Sequence, residues 1–183
     1  MHVDNAYDDG NDVILDVVQH DSLEFLTSEL KNFRQGLPPI GRPARIRISK
    51  AGRVEREIVG EFESVEFPMH DERRTGRQHR YSYFAAYTPE TDGAIVKFDH
   101  TTGTERRHTF TGQEFPGEPV FVPRSAKSDE DDGWLLALTY LAAEHRTALV
   151  ILDAADIERE PLAVARLDGH VFPGFHGSFT DRV

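Results

Sequence analysis

The chain has 183 residues, is 38% hydrophobic, carries a formal net charge of −11 and contains no cysteine. That length fits one domain, or one piece of a larger domain, and the acidity argues against a nucleic-acid backbone or an anionic membrane as partner, since both need clustered cations. The missing thiols exclude disulfides, thiolate metal sites, iron–sulfur clusters and cysteine nucleophiles, leaving nine histidines and the carboxylates as metal donors.

In chain order, the turn Asp9-Gly10-Asn11 precedes an apolar run at Val13–Val18. The segment Ser22–Leu30 spaces its apolar residues at helical intervals, with an N-cap at Asp21 or Ser22 and a stop at Gly36 and Pro38-Pro39, and predicts one short inserted helix. Arg45-Ile46-Arg47-Ile48 alternates with period two, and Ala51-Gly52 links it to Val54–Val59 as a hairpin. Further strand-like runs follow at Tyr81–Tyr87, Ala94–Phe98, Arg107–Phe110, Pro119–Val122, Trp134–Tyr140, Ala148–Leu152 and Ala163–Leu167, punctuated by Asp92-Gly93, Thr102-Gly103 and Asp132-Gly133. This spacing predicts an antiparallel all-β fold, with propeller, sandwich and barrel equally compatible with the periodicity. Ser125–Asp132 reads as an acidic, exposed loop. No apolar run reaches the roughly 18 residues of a membrane-spanning helix. Met1-His2-Val3-Asp4 has neither the basic nor the apolar part of a secretory leader, so a cytoplasmic location is expected.

Four stretches bear residues suited to chemistry: His2-x-x-Asn5-Ala6-Tyr7, Glu66-Phe67-Pro68, Gly117-Glu118-Pro119-Val120-Phe121-Val122-Pro123-Arg124, and Gly174-Phe175-His176-Gly177. In this order and at this spacing, joined by Glu130–Leu136 and Leu149–Ala154, they resemble the C-terminal part of the carotenoid oxygenase family, over nearly the whole chain. The resemblance implies a seven-bladed β-propeller, of which residues 1–183 would form about the last three to four blades. It implies a ferrous iron held by four axial histidines, of which His2 matches the third and His176 the fourth. Glu66 and Glu118 match the carboxylates behind those two rings. The implied reaction is dioxygen-dependent cleavage of a conjugated carbon–carbon double bond in a carotenoid, apocarotenoid or stilbene-like substrate. A neutral imidazole whose far N–H is held by a carboxylate has a fixed tautomer and a more basic metal-binding nitrogen. An imidazole-rich site with open positions suits ferrous iron.

The family's first two ligands would lie upstream of His2, so the chain is expected to be a C-terminal fragment, inactive or nearly so alone; Met69-His70 also departs from the family pattern. The alternative is a non-catalytic propeller fragment or interaction module, self-associating through open sheet edges. Taken without the resemblance, His2 is a terminal residue, His176 belongs to a tight glycine turn, and Glu66 and Glu118 are surface carboxylates. His20, His70, His79, His100, His108, His145 and His170 are expected to be mostly solvated. Asp71-Glu72-Arg73-Arg74 reads as an exposed charge cluster. Phe115, Phe172 and Phe175 are candidates for an apolar tunnel, with core packing the default for each.

Overall fold

The computed structural model describes residues 1–20, 41–62, 64–88, 91–172 and 174–181. The helix expected at Ser22–Leu30 lies outside the described residues. The rest is all-β, apart from a single 3-10 turn at Glu72–Arg74.

Three open antiparallel sheets follow one another along the chain. The first contains β1 (His2–Asp9), β2 (Asp12–Gln19), β3 (Arg42–Ile48) and β4 (Val54–Ile58), in that order. The second contains β5 (Val65–Met69), β6 (Tyr81–Thr88), β7 (Thr91–Asp99) and β8 (Thr104–Thr109). The third is ordered β10 (Val120–Pro123), β11 (Gly133–Leu141), β12 (Arg146–Asp153) and β13 (Ala163–Arg166), with β9 (Glu114–Pro116) also pairing with β11.

Strand periodicity explains how the sheets stack. Successive side chains of a strand point to opposite faces. In the second sheet Tyr83, Ala85 and Ile95 join a core with Phe121, Leu135, Ala137, Val150 and Leu152 of the third. Phe84, Ala86, Val96 and Phe98 face the other way and pack with Val18, Phe62 and Val65. The two central strands β6 and β7 are therefore buried on both faces, which is why they read as nearly continuous apolar runs. Lys97 interrupts the run Ala94–Phe98 in β7, and its ammonium bonds Asp131 Oδ2 at 2.6 Å and the Ala154 carbonyl at 2.8 Å, joining the second sheet to the third.

Two charged segments lie at the surface as their sequence reading expects, but are tied down by specific partners. Within Ser125–Asp132, Glu130 accepts the Tyr81 N–H at 2.9 Å, and the Arg73 guanidinium donates to the Ser125 carbonyl at 2.9 Å and to that of Ser128 at 3.1 Å. The loop is tied down by partners about 50 residues away in sequence. Asp71 is only 2% exposed and caps the 3-10 turn by accepting the Arg73 N–H, whereas Glu72 and Arg74 are exposed as expected, so the cluster is a solvated face with one buried cap.

Candidate metal centre

The first and last candidate histidines meet. His2 begins β1 and His176 lies in the irregular segment after β13, yet their ring centroids are 5.4 Å apart, edge to face at 83°. Each ring is held from behind by a different carboxylate. His2 Nδ1 lies 2.6 Å from Glu66 Oε2, and His176 Nδ1 lies 3.0 Å from Glu118 Oε1. Gly177 N–H donates to the second oxygen of Glu118 at 2.6 Å, so this carboxylate grips both the imidazole and the adjacent backbone.

Glu66 is buried, at 1% exposure, in β5. Its environment includes a third imidazole that sequence reasoning missed: His20 Nε2 contacts Glu66 Oε1, so one carboxylate lies between two rings. Burial alone would raise the carboxyl pKa, but the bonds from His20 and His2 outweigh it and hold Glu66 below its ordinary value, as the carboxylate. The hairpin β1–β2 contained the signal. Its register sets His2 opposite Val18, and period two then places His20 on the Val18 side at the same open end.

The backbone around Glu66 is shaped for this contact. Phe67 adopts φ 54, uncommon for a residue with a side chain, and its ring stacks on His2 at 5.7 Å and stands edge-on to His176 at 6.4 Å. Gly41 accepts the Val65 N–H at 3.0 Å, and a Cβ there would fall 2.2 Å from the Val65 carbonyl oxygen, so only glycine lets the strand pass so close. Asn5, from the first motif, accepts the Gly76 N–H at 3.1 Å and donates to the Arg77 carbonyl at 2.9 Å, fastening β1 to the loop before β6.

The donor set suits a metal. With Nδ1 of both His2 and His176 donating to a carboxylate, each ring keeps its Nε2 lone pair as the nitrogen available for coordination. Two imidazoles, each with a carboxylate behind it, match the preference of a ferrous or similar divalent ion.

The remaining histidines and phenylalanines depart in part from what their sequence context suggests. His70 and His79 are buried, at 7% and 3% exposure, and His20 and His100 are half-buried, so these four are not solvated. His108 donates from Nδ1 to the Ile157 carbonyl at 3.1 Å, while His145 and His170 are exposed and lie 4.6 Å apart. Phe115, Phe172 and Phe175 are 41%, 81% and 62% exposed, so none packs into the core. No helix among the described residues is long and apolar enough to cross a membrane.

Comparison with known proteins places the whole chain in a family. The family model described as retinal pigment epithelial membrane protein matches residues 1–181. Apocarotenoid-15,15'-oxygenase of Synechocystis sp. is 37% identical over 98% of this chain and 38% of the relative. Lignostilbene-alpha,beta-dioxygenase isozyme III of Sphingomonas paucimobilis is 28% identical over 98% of this chain and 40% of the relative. Among solved structures, cobalt-substituted Synechocystis apocarotenoid oxygenase superposes with a TM-score of 0.80 at 36% identity, covering 94% of this chain and 37% of that one. A chimera of that oxygenase with RPE65 superposes at 0.86 and 33% identity, covering all of this chain and 39% of the other. The chain thus spans about two fifths of the length of the relatives it matches. With ordered motifs, open β-sheets and a family match over residues 1–181, this chain belongs to the RPE65/carotenoid oxygenase family.

Proposed function

We propose that residues 1–183 form the last three to four blades of a seven-bladed propeller and supply two histidine ligands, His2 and His176, to a ferrous iron. The activity inferred for the assembled site is oxygenative cleavage of a conjugated carbon–carbon double bond in a carotenoid, apocarotenoid or stilbene-like substrate. One observation carries the reading. Two imidazoles from opposite ends of the chain stand 5.4 Å apart, and each Nδ1 is engaged by its own carboxylate. Relatives named for apocarotenoid and lignostilbene oxygenation support the substrate class.

Iron in such a site would supply dioxygen activation. The chain's own residues do the rest. Glu66 and Glu118 hold the protons of His2 and His176 on Nδ1, keeping both Nε2 lone pairs free for the metal. Phe67, against both rings, excludes water from one side and offers an apolar wall to a polyene or stilbene. No side chain is needed as nucleophile or general acid.

Cobalt titration of the purified chain, followed by paramagnetic broadening of histidine ring signals, tests the reading. His2 and His176 are expected to broaden first, and His2→Ala or His176→Ala to weaken binding by about tenfold or more. Cobalt that leaves both rings unperturbed would overturn it. Two imidazoles alone hold a metal loosely, so slow or undetectable conversion of apocarotenal or stilbene to aldehydes is expected from this chain with ferrous iron and oxygen.

A further inference from the structure

A second group of imidazoles lies between the first two sheets. Asp4, His79 and His100 bring one ligand atom each within 4.8 Å of one another, the spacing of a cation site. Ser82, fully buried, is at their centre: its hydroxyl lies 2.5 Å from Asp4 Oδ2, 3.0 Å from His79 Nε2 and 2.8 Å from His100 Nε2. His79 Nε2 is also 3.3 Å from Asp4 Oδ2, and His70 Nδ1 is 3.2 Å from Asp4 Oδ1.

The protons of this group are fixed by its surroundings. Asn5 Oδ1 accepts the N–H groups of Ala6 at 2.9 Å and Gly76 at 3.1 Å, so its Nδ2 end is the one that faces the Arg77 carbonyl and His79 Nδ1, 3.2 Å away. Opposite a donor, His79 Nδ1 must accept, and the ring's N–H is on Nε2. Arg45 has no acceptor, so His100 Nδ1, 3.2 Å from Arg45 Nη2, must accept too. Arg45 is itself held by both oxygens of Asp16, at 2.7 and 2.9 Å. Both Nε2–H groups therefore point to Ser82 Oγ, whose two lone pairs take them, and the hydroxyl donates to Asp4. A metal would need lone pairs where these rings carry protons. His2 and His176 have the reverse order, with the proton on Nδ1 and the lone pair on Nε2.

Asp4 has a particular place in β1. The β1–β2 register slips between Val3 and Asn5, making Asp4 the extra residue of a bulge, two residues from His2. His2 joins β1 to β5 of the second sheet through Glu66, and Asp4 joins β1 to β6 of the same sheet through Ser82. These two links hold β1 against the second sheet.

We propose that Asp4, Ser82, His79 and His100 form a metal-free, proton-ordered anchor that positions His2 by fixing the bulge beside it. This rests on reading His2 as a ligand presented through Nε2. All four are positioning residues, acting through β1 without touching substrate.

Nitrogen-15 spectra of the histidine rings test the proposal directly in the full 183-residue chain. The wild type is expected to show His79 and His100 as Nε2–H tautomers and His2 and His176 as Nδ1–H tautomers. Ser82→Ala, and the isosteric Asp4→Asn as a second variant, should turn the His2 signal into a tautomer mixture and leave His176 unchanged, a selectivity that general destabilisation would not produce. Cobalt affinity should then fall by about tenfold. In a His2→Ala/His176→Ala chain, added zinc should leave the His79 and His100 signals in place. Nδ1–H tautomers at His79 and His100, stoichiometric zinc binding there, or an unchanged His2 signal in both folded variants would overturn the proposal. The tautomer readings need no metal, so failure of cobalt to bind at His2 and His176 would count against the proposed function and leave the anchor standing.

Discussion

The two halves of the candidate centre are built differently. His2 belongs to a paired strand, its side chain is 27% exposed, and its carboxylate partner is buried and shared with His20. His176 is 64% exposed on an irregular segment, held by Glu118 and by the backbone beside it. The first half is locked into the sheet framework, so its geometry is inseparable from stability. The second is attached to the framework through one carboxylate, so its geometry can be lost while the fold persists.

Cutting the buried carboxylate should be the most damaging change. Glu66→Ala leaves His2 and His20 facing a void and is expected to cost about 3 kcal/mol in urea unfolding, against about 1 kcal/mol for Glu118→Ala. Equal losses would erase the contrast. Gly41→Ala drives a methyl into the Val65 carbonyl beside Glu66 and should cost roughly 2 kcal/mol, disturbing the His2 ring signals but not those of His176.

Acid should also act on the His2 side. Burial pushes the His100 imidazole down from 6.5 to about 4. Between those values an unfolded chain takes up a proton that the folded chain refuses. Stability is therefore full above pH 6.5 and falls as pH drops towards 4, by about 2 kcal/mol given the partial exposure of the ring. Unfolding midpoints measured from about pH 7 to 4 check this, and His100→Asn should flatten the slope. Below that window Asp4 continues the loss: burial would raise its carboxyl, but the neighbouring imidazoles of His70 and His79 hold it well below the ordinary carboxylate range. The smallest stability effect belongs to His176→Ala, expected to change unfolding by less than about 0.5 kcal/mol while weakening cobalt binding; a larger loss would mean that the tail is part of the framework after all.

Much of this is legible in the sequence. Alternation in β11 places Leu135, Ala137 and Leu141 in the core as period two requires, and the β3–β4 hairpin pairs Arg47 with Glu55 around the expected turn. The ordered motifs pick out His2, Glu66, Glu118 and His176, which pair two by two. Strand β1 is harder to read, because its inward positions hold Asn5 as well as Tyr7 and its bulge turns Asp4 inward, replacing the apolar alternation by which strands are recognised. The acidic loop is exposed as read, but its partners were not legible: Lys97, Arg73 and the Tyr81 N–H are brought to it only by folding.

The sequence by itself determined the strand pattern, the absence of thiol chemistry and the order of the family motifs, all of which depend on residues near one another along the chain or on their identity alone. Only the tertiary structure decided which group faces each ring nitrogen of His2, His79 and His100. A ring's tautomer follows from the group facing it, and for His2 this group is a carboxylate 64 residues away, while for His79 and His100 it is a donor amide or guanidinium 74 and 55 residues away.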